Sequence, residues 1–504
     1  MRSQAQQRWN NNPGLQNNPP ISTGPLPASA NLPGAAPRAA MPTHASPTAT
    51  GTISGNVYST VVLGSSNYAS TLTVTSTGVV HPATYGANAI DIPTYTANAS
   101  LTNYGVIEGA NNPGGAGGIG VYVGGTGAMI TNAGQIHAGN VTTGQGGVGI
   151  DVSGSAATIT NTGTITGGYG SAGVLLAGAG ALLDNATNTY TGQVGSIDSD
   201  YGPAVLATGS NETIENAGFL GRDSKYGVSL AGNGDTLSNS GSIFGSYRGA
   251  AVLVKGQDEV VSNAGVIENG DSGVAVDLTA GSSSTFENSG AIVGGANDGG
   301  AAAMYAAGNN TVIINRGNIT GGYSDVTGVI IASAGTTVEN FGNIFGGSGI
   351  YHKYYGGLGG VAVELTVGGT LVNSGTIGGG RAGGYNGDGG VGIILTNGVV
   401  NNSGQIFGAG GNDSYYRGSG GGNGAIGVVV SAGGTLTNSG TISGGGGGYA
   451  LHGGGSGAAA VYMKGGSVVN TGVILGGIAG GGNGHHRGSS AAWVVLDGGT
   501  LTNA

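Results

Sequence analysis

The chain has no cysteine, which excludes disulfide frameworks and cysteine-based zinc sites. Charged residues make up only 7% of its 504 positions and aromatics 6%. Glu, Lys and Arg, which favour helices, are therefore scarce, and helical bundles are disfavoured. Acidic residues (23) outnumber basic ones (13), giving a net charge of −10. A phosphate-binding face needs the opposite balance, so nucleic acid is not expected as a partner. Long apolar runs are missing too, so no transmembrane helix is predicted. The first residues, MRSQAQQRWNNNPG, lack the apolar stretch of a secretory signal. What the chain has in excess is glycine, 115 residues. The glycines do not recur every third residue, which excludes collagen.

Residues 1–50 stand apart. They hold nine of the 13 prolines, three arginines and no acid. Such a segment buries too little apolar surface to offset its ordering entropy, and it is read as a disordered tail. From residue 51 onward the chain repeats, and repeats decide architecture before any other signal. The anchor is N-x-G-x-[IL]. Thirteen clear copies begin at Asn103, Asn132, Asn161, Asn216, Asn239, Asn263, Asn288, Asn315, Asn340, Asn373, Asn402, Asn438 and Asn470. Degenerate copies are read at Ser76 (STGVV) and Asn185, and Asn503 begins another. Clear anchors lie 23 to 36 residues apart, except for 55 across Asn185. That interval fits one turn of a β-solenoid with loops of variable length.

Each anchor follows a strand such as GVAVDL or GVAVEL and precedes a Gly-rich loop. Alternation of period two predicts Val274, Val276 and Leu278 on one face with Asp277 opposite. It likewise predicts Val361, Val363 and Leu365 against Ala362 and Glu364. Leu371, Asn373 and Ile377 share the inward register, so the anchor asparagines are expected inside. A buried amide needs partners. Stacked at the strand spacing of about 4.8 Å, each Asn can bond its neighbours above and below. The Gly two residues later is expected to adopt a positive φ at the bend. The fold expected over 51–504 is thus all-β: a single-stranded parallel β-helix with Gly-rich loops. Some sixteen turns would make a rod roughly 75 Å long.

The segments TLVNSGTIGGG at 370–380 and TLTNSGTISGG at 435–445 resemble the passenger region of type V autotransporters. These are haemagglutinin-like and adhesin-like surface proteins of Gram-negative bacteria. The resemblance spans residues 51–504. It implies a right-handed β-helix, an extracellular or outer-membrane-associated location, and export through an outer-membrane β-barrel. The barrel would be a C-terminal segment or a separate partner. No barrel pattern is visible and the chain stops within a repeat, so it is read as a piece of such a protein.

Chemistry is sparse. Outward acids Asp151, Asp277 and Glu364 are expected in one column but several turns apart. Glu215, Glu287 and Glu339 precede anchor asparagines that are not neighbours. Sugar hydrolysis needs two carboxyls roughly 5 to 9 Å apart. Asp271, Asp298 and Asp325 fall in successive loops as turn residues. His485 and His486 lack metal-ligand spacing. Catalytic residues, metal ligands and cofactors are therefore not expected. Toward the C-terminus the loops gain tyrosines: Tyr354, Tyr355, Tyr385, Tyr415, Tyr416 and Tyr449. Tyr offers flat amphipathic contact while Gly and Ser let loops adapt, and insertions on one solenoid face often mark a binding face. The expectation is an adhesive or self-associating surface rod contacting carbohydrate, a host or matrix surface, or sister molecules. The alternative is a carbohydrate-active β-helix enzyme, a polysaccharide hydrolase or lyase.

Overall fold

A computed structural model describes residues 51–504 apart from 247–248, 271–272, 296–301, 324, 351–355, 416–419 and 483–486. The tail assigned to 1–50 lies outside the described residues. Thr50–Ala504 forms one unit. Among the described residues its elements are all strands, most of them short, in parallel register with the equivalent strands of the neighbouring turns. The fold is a parallel β-solenoid.

Each turn carries three strands, which we name by their place around the anchor. In one turn the pre-anchor strand is Val363–Leu365, the anchor strand Thr370–Asn373 and the post-anchor strand Thr376–Gly378. Post-anchor strands stack into a 16-stranded sheet. Pre-anchor and anchor strands together make a 31-stranded sheet, because Ile393–Asn402 and Val428–Asn438 each run through both positions without a break.

Three apolar walls face one another inside. The post-anchor wall is almost pure isoleucine: Ile344, Ile377, Ile406 and Ile442 pair turn to turn and are fully or nearly fully buried. Each such side chain is worth about 1.5–3 kcal/mol of burial, and no single turn could enclose it alone. Phe286 takes a slot held by Val261 and Ile313 in the adjoining turns, the smaller valine making room for the ring.

The alternation expected in the pre-anchor strands holds only from the strand's first residue. Val276, Leu278, Val363 and Leu365 are buried, but Val274 and Val361 are half-buried, and Ala275 and Ala362 point inward instead. The strands begin at Val276 and Val363, and the chain bends just before them. Period two has no hold on a bend, and the small alanine fits the tight inner corner.

The asparagine ladder is continuous. From Asn103 to Asn470 each Nδ2 donates to the Oδ1 of the next turn's Asn; Asn373 to Asn402 is 2.7 Å. The same Nδ2 also faces two carbonyls, Gly375 and Gln405 in the case of Asn373. The thirteen anchor asparagines are all buried. Asn185 is a full member, donating to Asn216 at 2.8 Å and accepting from Asn161 at 2.8 Å. Its motif looked degenerate because residues 187–194 are inserted inside it, closed by an antiparallel bridge between Thr187 and Val194. Its turn glycine is Gly195, whose carbonyl accepts from Asn185 at 3.2 Å. Ser76, in contrast, is not in the ladder: Val74 occupies that position, paired with Asn103.

The anchor glycines do not take positive φ. They are needed for proximity: a β-carbon on Gly375 would overlap the carbonyl of Gly342 in the preceding turn, and one on Gly342 that of Gly317. The left-handed corner lies one strand earlier, between pre-anchor and anchor strands. Gly180 (φ 71), Asn211 (φ 60), Gly234 (φ 72) and Asp258 (φ 61) occupy it in successive turns. Asn, Asp and Gly are the residues that tolerate this conformation at least cost.

Candidate functional site

The Gly-rich loops leave each post-anchor strand and return to the next pre-anchor strand. Their arms are not loose. The Gly360 amide donates to Gly347, Gly380 to Gly360, Gly390 to Gly380, Ala409 to Gly390 and Ala425 to Ala409, all at 2.7–2.9 Å. The chain continues through Gly445, Ala458 and Gly477. Outgoing and returning arms thus alternate in one hydrogen-bonded slab, with a second row farther out through Asn412, Gly422, Gly448, Gly455 and Gly480. A β-carbon on Gly390, Gly422, Gly445 or Gly455 would overlap a neighbouring carbonyl oxygen. The expectation that glycine serves adaptability here is corrected: in the arms it serves close backbone packing.

This slab carries the tyrosine edge. Tyr415 is 62% exposed and Tyr449 and Tyr385 are half-buried. The Tyr415 and Tyr449 rings, from consecutive loops, lie 6.2 Å apart at 41°. Asp413 ties the two loops: its Oδ1 accepts the Tyr449 amide at 2.6 Å, and the Tyr415 hydroxyl donates to its Oδ2 at 3.4 Å. Beside them Ser414, Ala450 and Gly482 align in parallel register. Tyr354, Tyr355 and Tyr416 lie outside the described residues, as do Asp271, Asp298, His485 and His486. A matching pair occurs nearer the N-terminus, where Tyr169 and Tyr201 are 5.4 Å apart at 51° and half exposed. The sequence reading passed over it, although Tyr169, after Gly167 and Gly168, carries the same signal; Tyr201 follows an acidic stretch, Asp198 to Asp200, that does not.

The outward acids are held locally. Ser153 donates to Asp151 at 3.2 Å, whose pKa burial pushes up; the Thr279 amide donates to Asp277 at 2.9 Å, and Thr327 to Glu364 at 3.4 Å. Asp325 is exposed in its loop. Glu287 and Glu339 are two turns apart, with Ile314 between them. Glu215 does have an acidic neighbour, Asp184, directly beside it in the preceding turn. The insertion after Asn185 hid that pairing. A groove of about 40 Å³ lined by Ser262, Glu287, Asn288, Ser289, Ile314 and Arg316 has room for little more than water.

Two arrangements were not read from the sequence. On the outer face of the post-anchor sheet, His81, Glu108 and His137 follow one another in three successive turns. His81 Nδ1 lies 3.3 Å from Glu108 Oε2, while His137 Nε2 turns to Gln135 Oε1 at 3.2 Å. Burial lowers the His137 pKa against the opposing pull of Glu108. Among the described residues no group of three or more His, Asp or Glu is placed to hold a metal ion. The second arrangement is internal. The buried residue just before the anchor strand is Ala99, Ala128, Ala157 and Ala181 in four turns, and then Glu212, Asp235 and Glu259 in the next three.

Comparison of the chain with family models, curated proteins and solved structures found no match.

Proposed function

We propose that this chain is a surface-exposed or secreted structural rod that adheres or self-associates through its loop edge, in the manner of the autotransporter passengers its repeats resemble. The observation that carries this reading is the Tyr415–Tyr449 pair, presented by two consecutive loops, cross-tied by Asp413 and backed by the glycine slab. Two rings 6.2 Å apart at an open edge suit stacking on a sugar chain or on a partner's aromatic or apolar surface. A rigid backing lowers the ordering cost of each contact. Each contact is weak, so firm attachment requires many copies on one surface. Under this reading the partners are carbohydrate, a host or matrix surface, or sister molecules. An outer-membrane β-barrel, in cis or in trans, would provide export.

The test is surface display of the chain beside a variant with Tyr354, Tyr355, Tyr385, Tyr415, Tyr416 and Tyr449 changed to Ser. Aggregation of cells and binding to a glycan array should fall at least about tenfold through loss of multivalency. Equal binding by both, with both folded, removes the tyrosine edge from the account.

One observation favours the enzymatic alternative enough to test it. Asp184 and Glu215 stand on adjacent strands, a spacing compatible with the roughly 5 Å separation of retaining glycosidases. Depolymerisation of any member of a polysaccharide panel, abolished by Glu215→Gln, would establish it.

A further inference from the structure

Glu212, Asp235 and Glu259 sit one above another at the corner before the anchor strands, and all three are 0% exposed. Their place is set by register: Thr213, Thr236 and Val260, the next residues, pair directly across the turns. Each acid lies two residues before an inward apolar side chain, Ile214, Leu237 or Val261, and so points inward itself. The backbone meets part of the hydrogen-bonding need of the Glu212 and Asp235 carboxyls. The Ala181 amide donates to Glu212 Oε2 at 2.7 Å, and the Glu212 amide to Asp235 Oδ1 at 2.9 Å. The Glu259 amide turns to Ser284 Oγ at 3.3 Å. Glu212 Oε1, Asp235 Oδ2 and both oxygens of Glu259 are buried without a hydrogen-bond partner.

What lies beside those oxygens is more oxygen. A β-carbon placed on Gly256 would overlap both the Gly232 carbonyl and Glu259 Oε1, and one on Gly209 would overlap both the Gly178 carbonyl and Glu212 Oε1. Carboxyl and carbonyl oxygens are therefore neighbours, with lone pairs opposed unless something positive lies between them. The side chains facing the column from the adjoining turns are Ala181 on one side and Ser284 on the other. The charged side chains of the same corner segments are Asp258 and Lys255, both exposed. Among the described residues no cation forms an ion pair with any of the three.

We propose that Glu212, Asp235 and Glu259 form a proton-loaded acid ladder, which locks this part of the solenoid while its carboxyls are protonated and loosens it when they ionise. A proton on Glu259 Oε1 or Glu212 Oε1 turns an opposed oxygen pair into a hydrogen bond to the adjacent glycine carbonyl. The neutral ladder then bridges successive turns at the corner, as the asparagines do at the anchor. Ionisation puts two or three like charges about one strand spacing apart in a buried column with no counter-charge. Burial pushes Glu212 to about 7 and, with the Asp235 charge adding to it, Glu259 to about 8; burial also raises Asp235. The sign follows. The folded state holds protons that the unfolded chain gives up near the ordinary carboxylate range, so stability is full in acid and is lost as pH rises through about 7 and 8. The lock is closed at mildly acidic pH and opens under alkaline conditions.

The experiment uses the full chain. Amide exchange of residues 203–264, corrected for the intrinsic pH dependence of exchange, is followed from pH 5.5 to 9 with and without a chelator. The comparison is the triple variant Glu212→Gln, Asp235→Asn, Glu259→Gln, whose amides can make the bridging bonds at every pH. Protection in the parent should fall by up to about tenfold per pH unit for each group until pH reaches that group's folded value and then level off, and the variant should stay flat. Turns 337–378, which have no such acids, serve as the internal reference. The single variant Glu259→Gln stands in if the triple variant does not fold, and should halve the slope or more. A parent profile equal to that of the variant or of the reference turns overturns the proposal. So does protection that depends on added calcium or on the chelator, which would mean that a cation, not a proton, lies between the oxygens.

Discussion

At the scale of single residues, identity matters through what lies one turn away more than through what lies next in sequence. Asn373 touches Asn340 and Asn402, 33 and 29 residues distant. Replacing it by Leu takes the donor from Asn402 Oδ1 and the shortest bond, 2.7 Å, from the Asn340 amide, and should destabilise the rod locally by roughly 1–3 kcal/mol. Asn185→Leu should cost the same, because Asn185 is bonded on both sides, whereas Ser76→Ala should leave the melting profile unchanged. A denaturation series of the three variants checks the assignment of Asn185 to the ladder and the exclusion of Ser76. Glycines divide the same way. Gly375→Ala forces a methyl into the Gly342 carbonyl and should lower stability by about 1–3 kcal/mol, as overpacking does. Gly180 has φ 71 and open space at the β-carbon position, so Gly180→Asn should be nearly neutral, as Asn211 shows in the next turn. If both glycine variants melt alike, close packing is not what the anchor glycines provide.

At the scale of elements, the inward rows were legible in the sequence wherever a strand is regular, since Leu371, Asn373 and Ile377 follow period two. The reading failed at bends, where Val274 and Val361 lost the inward place to Ala275 and Ala362. It also failed at the insertion, which separated Asn185 from Gly195 and so hid the Asp184–Glu215 pairing. The loops were misread for a different reason. A glycine that is flexible and a glycine packed against a carbonyl look identical in sequence, and only the position of the neighbouring loop distinguishes them. The slab predicts slow amide exchange at Gly360, Gly380, Gly390 and Gly445, each bonded at 2.7–2.9 Å, despite a composition typical of flexible linkers. Exchange at these amides as fast as in an unstructured peptide would dissolve the slab and, with it, the rigid backing of the tyrosine edge. Ala substitution at Gly445 should loosen the slab and lower binding at the edge together; at Ala425, which already carries a methyl, the same slab accepts the side chain.

At the scale of the whole molecule, the balance of buried titratable groups gives stability a direction with pH. Burial raises Asp151, Asp198, Glu212, Asp235, Glu259 and Glu268 and lowers His137. The raised acids favour the folded state at low pH and lose that contribution as pH rises through their folded values. The lowered histidine works the other way, and its contribution is lost as pH falls below the ordinary histidine value. Melting temperature should therefore decline from mildly acidic to alkaline pH, with a smaller decline on the acid side that His137→Gln removes. A melting temperature rising steadily from pH 6 to 9 would contradict this balance. The sequence by itself determined that this chain is a parallel solenoid, which asparagines and isoleucines line it, and where each turn begins. Repetition makes those facts local, since every turn carries its own copy of the pattern. Only the tertiary structure decided which non-repeating residues meet: His81 with Glu108, Tyr415 with Tyr449, Glu212 with Asp235 and Glu259. Stacking brings positions 23 to 36 residues apart to about one strand spacing, and which side chains then meet outside the anchor rows depends on corner and loop paths that the anchor motif does not record.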